Sequence, residues 1–117
     1  MQYLYILRKP PYQGTLTRES LDMALATAAF DQQVQILFLG DGVFALKDKQ
    51  QTETLQRKNI SKTLPALELY DINDVFVCAQ SLADRGMADK PLCISPTLIN
   101  SAEINDKIRA ADKVITL

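Results

Sequence analysis

The chain has 117 residues, of which 47% are hydrophobic and 23% are charged, and its formal net charge is −1. These values are typical of one ordinary globular domain, since the chain is too short for two domains and long enough for one sizeable core. Lys and Arg are scattered and aromatic residues are few, so direct nucleic-acid binding is not expected, because it draws its affinity from clustered cations.

The first third of the chain predicts a strand, a helix and a second strand. The first strand, Tyr3–Leu7, ends before Pro10-Pro11. After a turn-rich loop, Thr17 is expected to cap a helix from about Arg18 to Phe30, whose apolar residues recur at helical spacing. The second strand, Val34–Leu39, is nearly continuous in hydrophobicity, which is expected where both faces of a sheet are covered.

The middle of the chain is less regular. Gly40-Asp41-Gly42 ends the second strand, and Val43–Leu46 is expected to form a short helical or apolar turn. The polar stretch Lys47–Gln56 predicts an exposed loop. Ile60–Leu69 is a helix candidate in which Pro65 has to lie in the first turn, or else the stretch divides there.

The last part of the chain predicts three more strands and two helices. The third strand, Asp74–Cys78, is followed by a helix, Ala79–Arg85, which Gly86 ends with a left-handed cap. A brief fourth strand is expected at Pro91–Ile94, and Lys113–Leu117 is the fifth.

The last helix is expected to begin at Ser101 and to run to about Ala111, with Ile104 and Ile108 facing inward. Strands and helices alternate throughout, so the sequence predicts a single α/β domain over residues 1–117. Its expected architecture is a three-layer α/β/α fold with a five-stranded, mainly parallel sheet, as in flavodoxin-like proteins.

Ligands of such sheets collect beyond the carboxyl ends of the strands, near the switch in strand order. Three segments, Lys9–Thr17, Gly40–Phe44 and Cys78–Ser81, are expected to converge at this edge.

Cys78 is the residue at which the sequence predicts chemistry. It follows the apolar run Val75–Val77 and opens a helix, whose unpaired N–H groups favour an anion such as a thiolate. The chain contains no histidine, so a Cys-His pair is excluded and covalent chemistry has to rely on the thiol itself. The residues leave two interpretations open with equal weight: a reactive thiol that handles sulfur, or a buried and inert side chain at a strand end.

The other site classes find little support. Two cysteines without a CxxC spacing are too few for a zinc site, and Gly40-Asp41-Gly42 lacks the pattern of a phosphate loop, so neither a metal nor a cofactor is predicted. Cys93 is expected in the core. A Cys78–Cys93 disulfide is conceivable, although a sequence does not supply the geometry it requires, and a reducing cytosol would keep both thiols free.

The chain is expected to be cytoplasmic. No apolar run approaches the ~20 residues needed to cross a bilayer. The first segment, Gln2–Leu7, also lacks the basic start and the cleavage site of a signal peptide.

Three stretches, in this order and at this spacing, carry a family resemblance. They are Phe38-Leu39-Gly40-Asp41-Gly42-Val43-Phe44, Leu69-Tyr70-Asp71-Ile72 and Val77-Cys78-Ala79-Gln80-Ser81-Leu82-Ala83-Asp84-Arg85-Gly86. Together they resemble the TusC/DsrF branch of the DsrE-like sulfur-relay proteins, and the resemblance covers essentially the whole chain.

The resemblance implies a subunit of a cytoplasmic hetero-oligomer with TusB-like and TusD-like (DsrH- and DsrE-like) partners. Such a complex accepts persulfide sulfur from a donor protein and passes it to an acceptor, toward 2-thiolation of the wobble uridine of tRNA. The related DsrEFH complex serves intracellular sulfur oxidation.

In these complexes the relay thiol is usually assigned to the TusD/DsrE subunit, and the TusC/DsrF branch is regarded as its partner. The main expectation is therefore a subunit that acts in assembly. The alternatives are a sulfurtransferase subunit that carries persulfide on Cys78, and a DsrF-type role in sulfur oxidation. Whether the chain is catalytic by itself stays open.

The residues around Cys78 have both structural and functional interpretations. A tight turn, in which Gly42 adopts a conformation that other residues resist, is preferred for Asp41-Gly42 over a ligand or subunit contact. Asp71 is expected to end a helix or turn, and Arg85 to complement the helix dipole before Gly86. The residues expected to contact a subunit or line a pocket are Asp41, Gly42, Phe44, Gln80 and Ser81.

Overall fold

The computed structural model describes residues 1–10, 16–47 and 64–116. Its strands are β1 (Gln2–Leu7), β2 (Gln33–Phe38), β3 (Asp74–Cys78), β4 (Thr97–Ile99) and β5 (Lys113–Thr116). Its α-helices are α1 (Leu16–Ala28), α2 (Ala79–Asp84) and α3 (Ser101–Ala110). Between β2 and β3, the described residues include the 3₁₀ helices Gly40–Leu46 and Leu64–Tyr70. None of the helices in the described ranges is long and apolar enough to span a membrane.

The five strands form one sheet in the order β4-β3-β2-β1-β5, and all neighbouring strands are parallel. The predicted fold class is therefore confirmed. The chain steps in one direction from β1 to β4, and α3 then carries it back across the sheet to pair β5 with β1. Crossovers between parallel strands are right-handed, so connections that move in opposite directions across the sheet lie on opposite faces of it. The segments that follow β3 and β4 therefore leave toward different faces. A crevice is expected between such strand ends.

Each face of the sheet carries its own apolar cluster. The first cluster joins Tyr5, Ile36 and Phe38 to α1, α2 and both 3₁₀ helices. The second joins Leu4, Leu37 and the other side chains of its face to Ile104 of α3. Because side chains alternate between the two faces of a strand, this arrangement explains the nearly continuous hydrophobicity of β2.

Two of the predicted elements around the sheet begin elsewhere. The first helix starts at Leu16, so Thr17 is buried within its first turn and is not the cap that the sequence predicts. The fourth strand is Thr97–Ile99, and the prediction of a strand at Pro91–Ile94 is wrong. Leu92 instead makes a single antiparallel bridge to Lys47, and the Cys93 N–H donates to the Leu46 carbonyl at 2.9 Å. This stretch therefore braces the end of the first 3₁₀ helix.

The prediction for α3 is correct in extent and half correct in orientation. Ile104 is buried as expected, but Ile108 is 38% exposed, so its predicted inward orientation is wrong. In that turn Lys107 contacts the sheet instead, with its Nζ 4.4 Å from the centre of the Phe76 ring. A cation over an aromatic face is a favourable contact, and the Lys stem covers apolar surface.

The segment before β3 is helical, as predicted, but forms a 3₁₀ rather than an α-helix. Pro65 lies in its first turn, where its missing N–H costs nothing. The helix ends at Tyr70 and is followed by Asp71, which has a φ of 61°. The predicted residues 60–63 lie outside the described residues, as does the predicted loop Lys47–Gln56 after Lys47. Gly86 follows α2 with a φ of 67°, so the predicted left-handed cap is confirmed.

Candidate functional site

Cys78 lies where the sequence predicts it, at the last position of β3 and the N-cap of α2. Its Sγ accepts the backbone N–H of Ser81 at 3.4 Å. The residue is only 7% exposed and belongs to the second apolar cluster, on the face of the sheet that α3 covers. The thiol is thus held at a helix start and screened from solvent.

Sulfur is an unusual cap, because helix N-caps are normally Ser, Thr, Asp or Asn. A thiol is a weak acceptor, so Cys78 satisfies the Ser81 N–H less well than an oxygen would. An N–H directed at sulfur is, however, the local arrangement that thiolate chemistry uses. Ile99 of β4 is the register partner of Cys78, so the thiol lies at the carboxyl ends of β3 and β4, where the strand order predicts a crevice.

Ser81 ties α2 to the segment that follows β2. Its Oγ accepts the Gly40 N–H at 3.0 Å, and the residue is buried. Two of the three predicted segments, Gly40–Phe44 and Cys78–Ser81, are therefore brought together. Of the third, Lys9–Thr17, residues 11–15 lie outside the described residues.

An ion pair between Asp41 and Arg85 also joins α2 to the segment that follows β2, at a more exposed position. The Arg85 Nε lies 2.9 Å from the Asp41 Oδ1, and its Nη1 donates to the Ser81 carbonyl at 3.2 Å. Both partners are partly exposed, so the pair contributes less than about 1 kcal/mol and serves mainly to position the two segments. Sequence reasoning assigned Arg85 only to the helix dipole and missed this contact.

The two glycines of Gly40-Asp41-Gly42 have different roles from those predicted. Gly40 carries the left-handed conformation, with a φ of 58°, so the prediction of a special conformation at Gly42 is wrong. Gly42 is required for a close approach instead: a Cβ there would lie 1.9 Å from the carbonyl oxygen of Leu7. The first 3₁₀ helix therefore packs directly on the end of β1.

The remaining predicted contact residues point in separate directions. Phe44 is 36% exposed between the buried residues Val43 and Ala45. The Gln80 Nε2 donates to the Asp84 Oδ1 at 2.7 Å, one turn further along α2. Ser81 and Gly42 are thus buried residues at which two segments pack together, whereas Phe44 and Gln80 face outward.

Cys93 lies on the other face of the sheet from Cys78, and neither cysteine forms a disulfide. It is half-buried rather than a core residue, and it packs against the first cluster. It also lines a cavity of about 320 Å³ with Leu64, Ile72 and Val75. Within residues 1–10, 16–47 and 64–116, no three His, Cys, Asp or Glu side chains come together as metal ligands.

The family of the chain follows from comparison with known proteins. A family model described as DsrE/DsrF-like matches residues 1–117. The chain belongs to the DsrE/DsrF-like family.

Curated relatives place this DsrE/DsrF-like chain more narrowly. It is 40% identical over 114 residues to a protein TusC homolog of Pseudomonas aeruginosa, a match that covers 97% of this chain and 96% of the relative. A protein TusC homolog of Vibrio parahaemolyticus is 33% identical over 115 residues, with 98% of both chains covered. One from Haemophilus influenzae is 33% identical over 118 residues, with 99% of both chains covered.

Two solved structures share the fold of this chain. The ychN protein of E. coli superposes with a TM-score of 0.86 at 24% identity, and all of both chains is covered. A conserved protein of unknown function from Bacteroides thetaiotaomicron gives a TM-score of 0.69 at 15% identity, covering 98% of this chain and 94% of the other.

Proposed function

We propose that this DsrE/DsrF-like chain is a TusC-type subunit of a cytoplasmic sulfur-relay complex, which passes persulfide sulfur toward 2-thiolation of the wobble uridine of tRNA. The observation that carries the proposal is the nearly complete coverage of several TusC homologs at up to 40% identity. The TusC names favour tRNA thiolation over a DsrF-type role in sulfur oxidation.

Within that complex, the chain acts mainly as an assembly partner. A persulfide carrier needs room for one more sulfur atom beside its thiol and a path to the thiol of a partner protein. Cys78 is 7% exposed and packs among apolar side chains, which supports a structural role for this thiol rather than the role of sulfur carrier in the complex. In this role Cys78 completes the start of α2.

The partners are TusB-like and TusD-like subunits, and sulfur donor and acceptor proteins act on the assembled complex. Large apolar side chains are exposed on several elements, and such side chains commonly mark protein interfaces when they form patches. Phe30, Leu69 and Leu98 are among the most exposed of them in the described part of the chain. Leu98 lies on β4, a sheet edge, and an exposed edge offers unpaired backbone groups to another chain.

The assembly role is tested by co-expressing the chain with TusB-like and TusD-like proteins of the same organism and measuring masses by size-exclusion light scattering. We expect one species that contains all three proteins and is several times heavier than the 13.1 kDa of this chain. The two partners expressed without it serve as the control. Elution of the chain at its monomer mass, while the partners associate without it, would contradict the proposal.

A second candidate function is favoured by one observation, the N–H of Ser81 directed at the Cys78 sulfur. In that case the Cys78 thiolate attacks the outer sulfur of a donor persulfide. A new S–S bond forms on Cys78, the S–S bond of the donor breaks, and the donor leaves as a thiolate. The transfer needs no added oxidant, because one sulfur atom moves between two thiols.

A further inference from the structure

A groove beside the Asp41–Arg85 ion pair combines apolar walls with cations, and the sulfur-relay role does not use it. Its volume is about 290 Å³, and it lies between the end of the first 3₁₀ helix and the segment after α2. Phe44, Met87 and Pro91 supply apolar walls, and Lys47, Arg85 and Lys90 supply cations. Among the described residues that line it, none is acidic, although the whole chain has a net charge of −1.

The walls of this basic–apolar groove are fixed by main-chain hydrogen bonds. The Met87 N–H donates to the Leu82 carbonyl at 2.9 Å, and the Lys90 N–H donates to the Met87 carbonyl at 3.2 Å. On the other side, Lys47 is bridged to Leu92. A groove whose walls are held in this way is preorganised, which lowers the entropy cost of binding.

The charges of the groove suit a carboxylate better than a phosphate. The Arg85 Nε is engaged by Asp41, and its Nη1 donates to the Ser81 carbonyl, so the Nε edge of its guanidinium is occupied and its charge is partly balanced by a carboxylate. Lys90 is exposed on the loop after α2 and adds a point charge next to the apolar walls. A ligand that places a negative charge beside an apolar side chain matches this combination.

The size of the groove limits the ligand further. A volume of about 290 Å³ is at the lower end of the range for small-molecule sites and accommodates about one or two amino-acid side chains. Nucleic-acid binding requires several phosphates to be neutralised along a strand, which this small cluster of cations does not provide. An aromatic side chain such as Phe44, exposed at the rim, is typical of sites that bind a peptide segment.

We propose that the basic–apolar groove is a docking site for an acidic segment of a partner polypeptide, in which a Glu or Asp flanks an aromatic or aliphatic residue. The apolar side chain of that segment packs against Phe44 and Met87, and its carboxylate faces Lys90. This site does not include Cys78. It goes beyond the sulfur-relay role, and its test does not depend on that role.

The test is fluorescence anisotropy with the full chain and a labelled peptide in which two glutamates flank a phenylalanine. We expect saturable binding, weakened at least about tenfold by Lys90→Glu and by replacing both glutamates of the peptide with glutamine. Phe44→Ala is expected to weaken binding by a similar factor. A peptide in which alanine replaces the phenylalanine is expected to bind more weakly by the same factor. Lys113→Glu, the same charge change on the distant edge strand β5, is the matched control and is expected to change the affinity less than about twofold.

Several outcomes would overturn the proposal. They are no binding of the acidic peptide, equal binding by the Lys90→Glu and Lys113→Glu proteins, or equal binding of the glutamine peptide. An octamer of uridine that binds more tightly than the peptide, and in a Lys90-dependent way, would assign the groove to nucleic acid instead. Circular dichroism of each variant establishes that the fold is retained, which is expected because Lys90 and Phe44 lie at the surface.

Discussion

A Gly42→Ala substitution is expected to lower the free energy of unfolding by about 3 kcal/mol or more. The new Cβ would lie 1.9 Å from the Leu7 carbonyl oxygen and 2.6 Å from the carbonyl carbon. These are main-chain atoms of β1, and the same oxygen accepts the Leu39 N–H at 3.1 Å, so they cannot move without disturbing the sheet. Urea unfolding followed by circular dichroism measures the change.

Gly86→Ala is the matched control for this prediction. A Cβ at Gly86 would meet no atom within 4 Å, but the residue has a φ of 67°. Its substitution is therefore expected to cost only about 1 kcal/mol, from backbone strain. If the two variants were equally stable, the close approach of the first 3₁₀ helix to β1 would be refuted.

Ser81→Ala is expected to lower the free energy of unfolding by about 2 kcal/mol. The Ser81 hydroxyl accepts the Gly40 N–H at 3.0 Å in a buried position, so its removal leaves that N–H without its acceptor. Urea unfolding again gives the magnitude. Amide hydrogen exchange at Gly40, which is expected to accelerate, reports the loss locally.

The neighbouring residue provides the comparison for Ser81. Gln80→Ala removes an exposed contact to Asp84 within the same helix, and is expected to cost no more than about 0.5 kcal/mol. A Ser81→Ala protein as stable as Gln80→Ala, with unchanged exchange at Gly40, would show that the hydroxyl does not tie α2 to the segment after β2.

The parts of the fold that the sequence predicts are those with a strong local signal. The second strand is recognisable because its hydrophobicity is nearly continuous, and Cys78 is placed correctly because a strand pattern changes there to a helical one. β4 was missed because it has only three residues, Thr97–Ile99, and lies next to Pro91–Ile94, a more apolar stretch that braces the first 3₁₀ helix. Strand order is likewise non-local and does not follow from any single segment.

The candidate site was predictable in position but not in its internal contacts. Gly40 and Gly42 are both explained by glycine's lack of a Cβ, yet one needs a positive φ and the other a close approach, and a sequence does not distinguish these causes. The Arg85–Asp41 pair joins residues 44 positions apart, so no spacing rule reveals it. The orientation of Ile108 depends on how far α3 covers its face of the sheet, which is a tertiary property.

The proposed role can be tested directly by following the sulfur in the assembled complex. The complex is loaded with a persulfide donor, and the intact mass of each subunit is measured with this chain as wild type, Cys78→Ser and Cys93→Ser. One bound sulfur adds about 32 Da, and a reductant removes it. Cys93→Ser is the matched control, because it removes the other thiol of the chain.

We expect the added sulfur on the TusD-like subunit in all three complexes, and none on this chain. A sulfur adduct on this chain that Cys78→Ser abolishes, together with loss of transfer to the TusD-like subunit, would contradict the assembly role and establish Cys78 as the carrier.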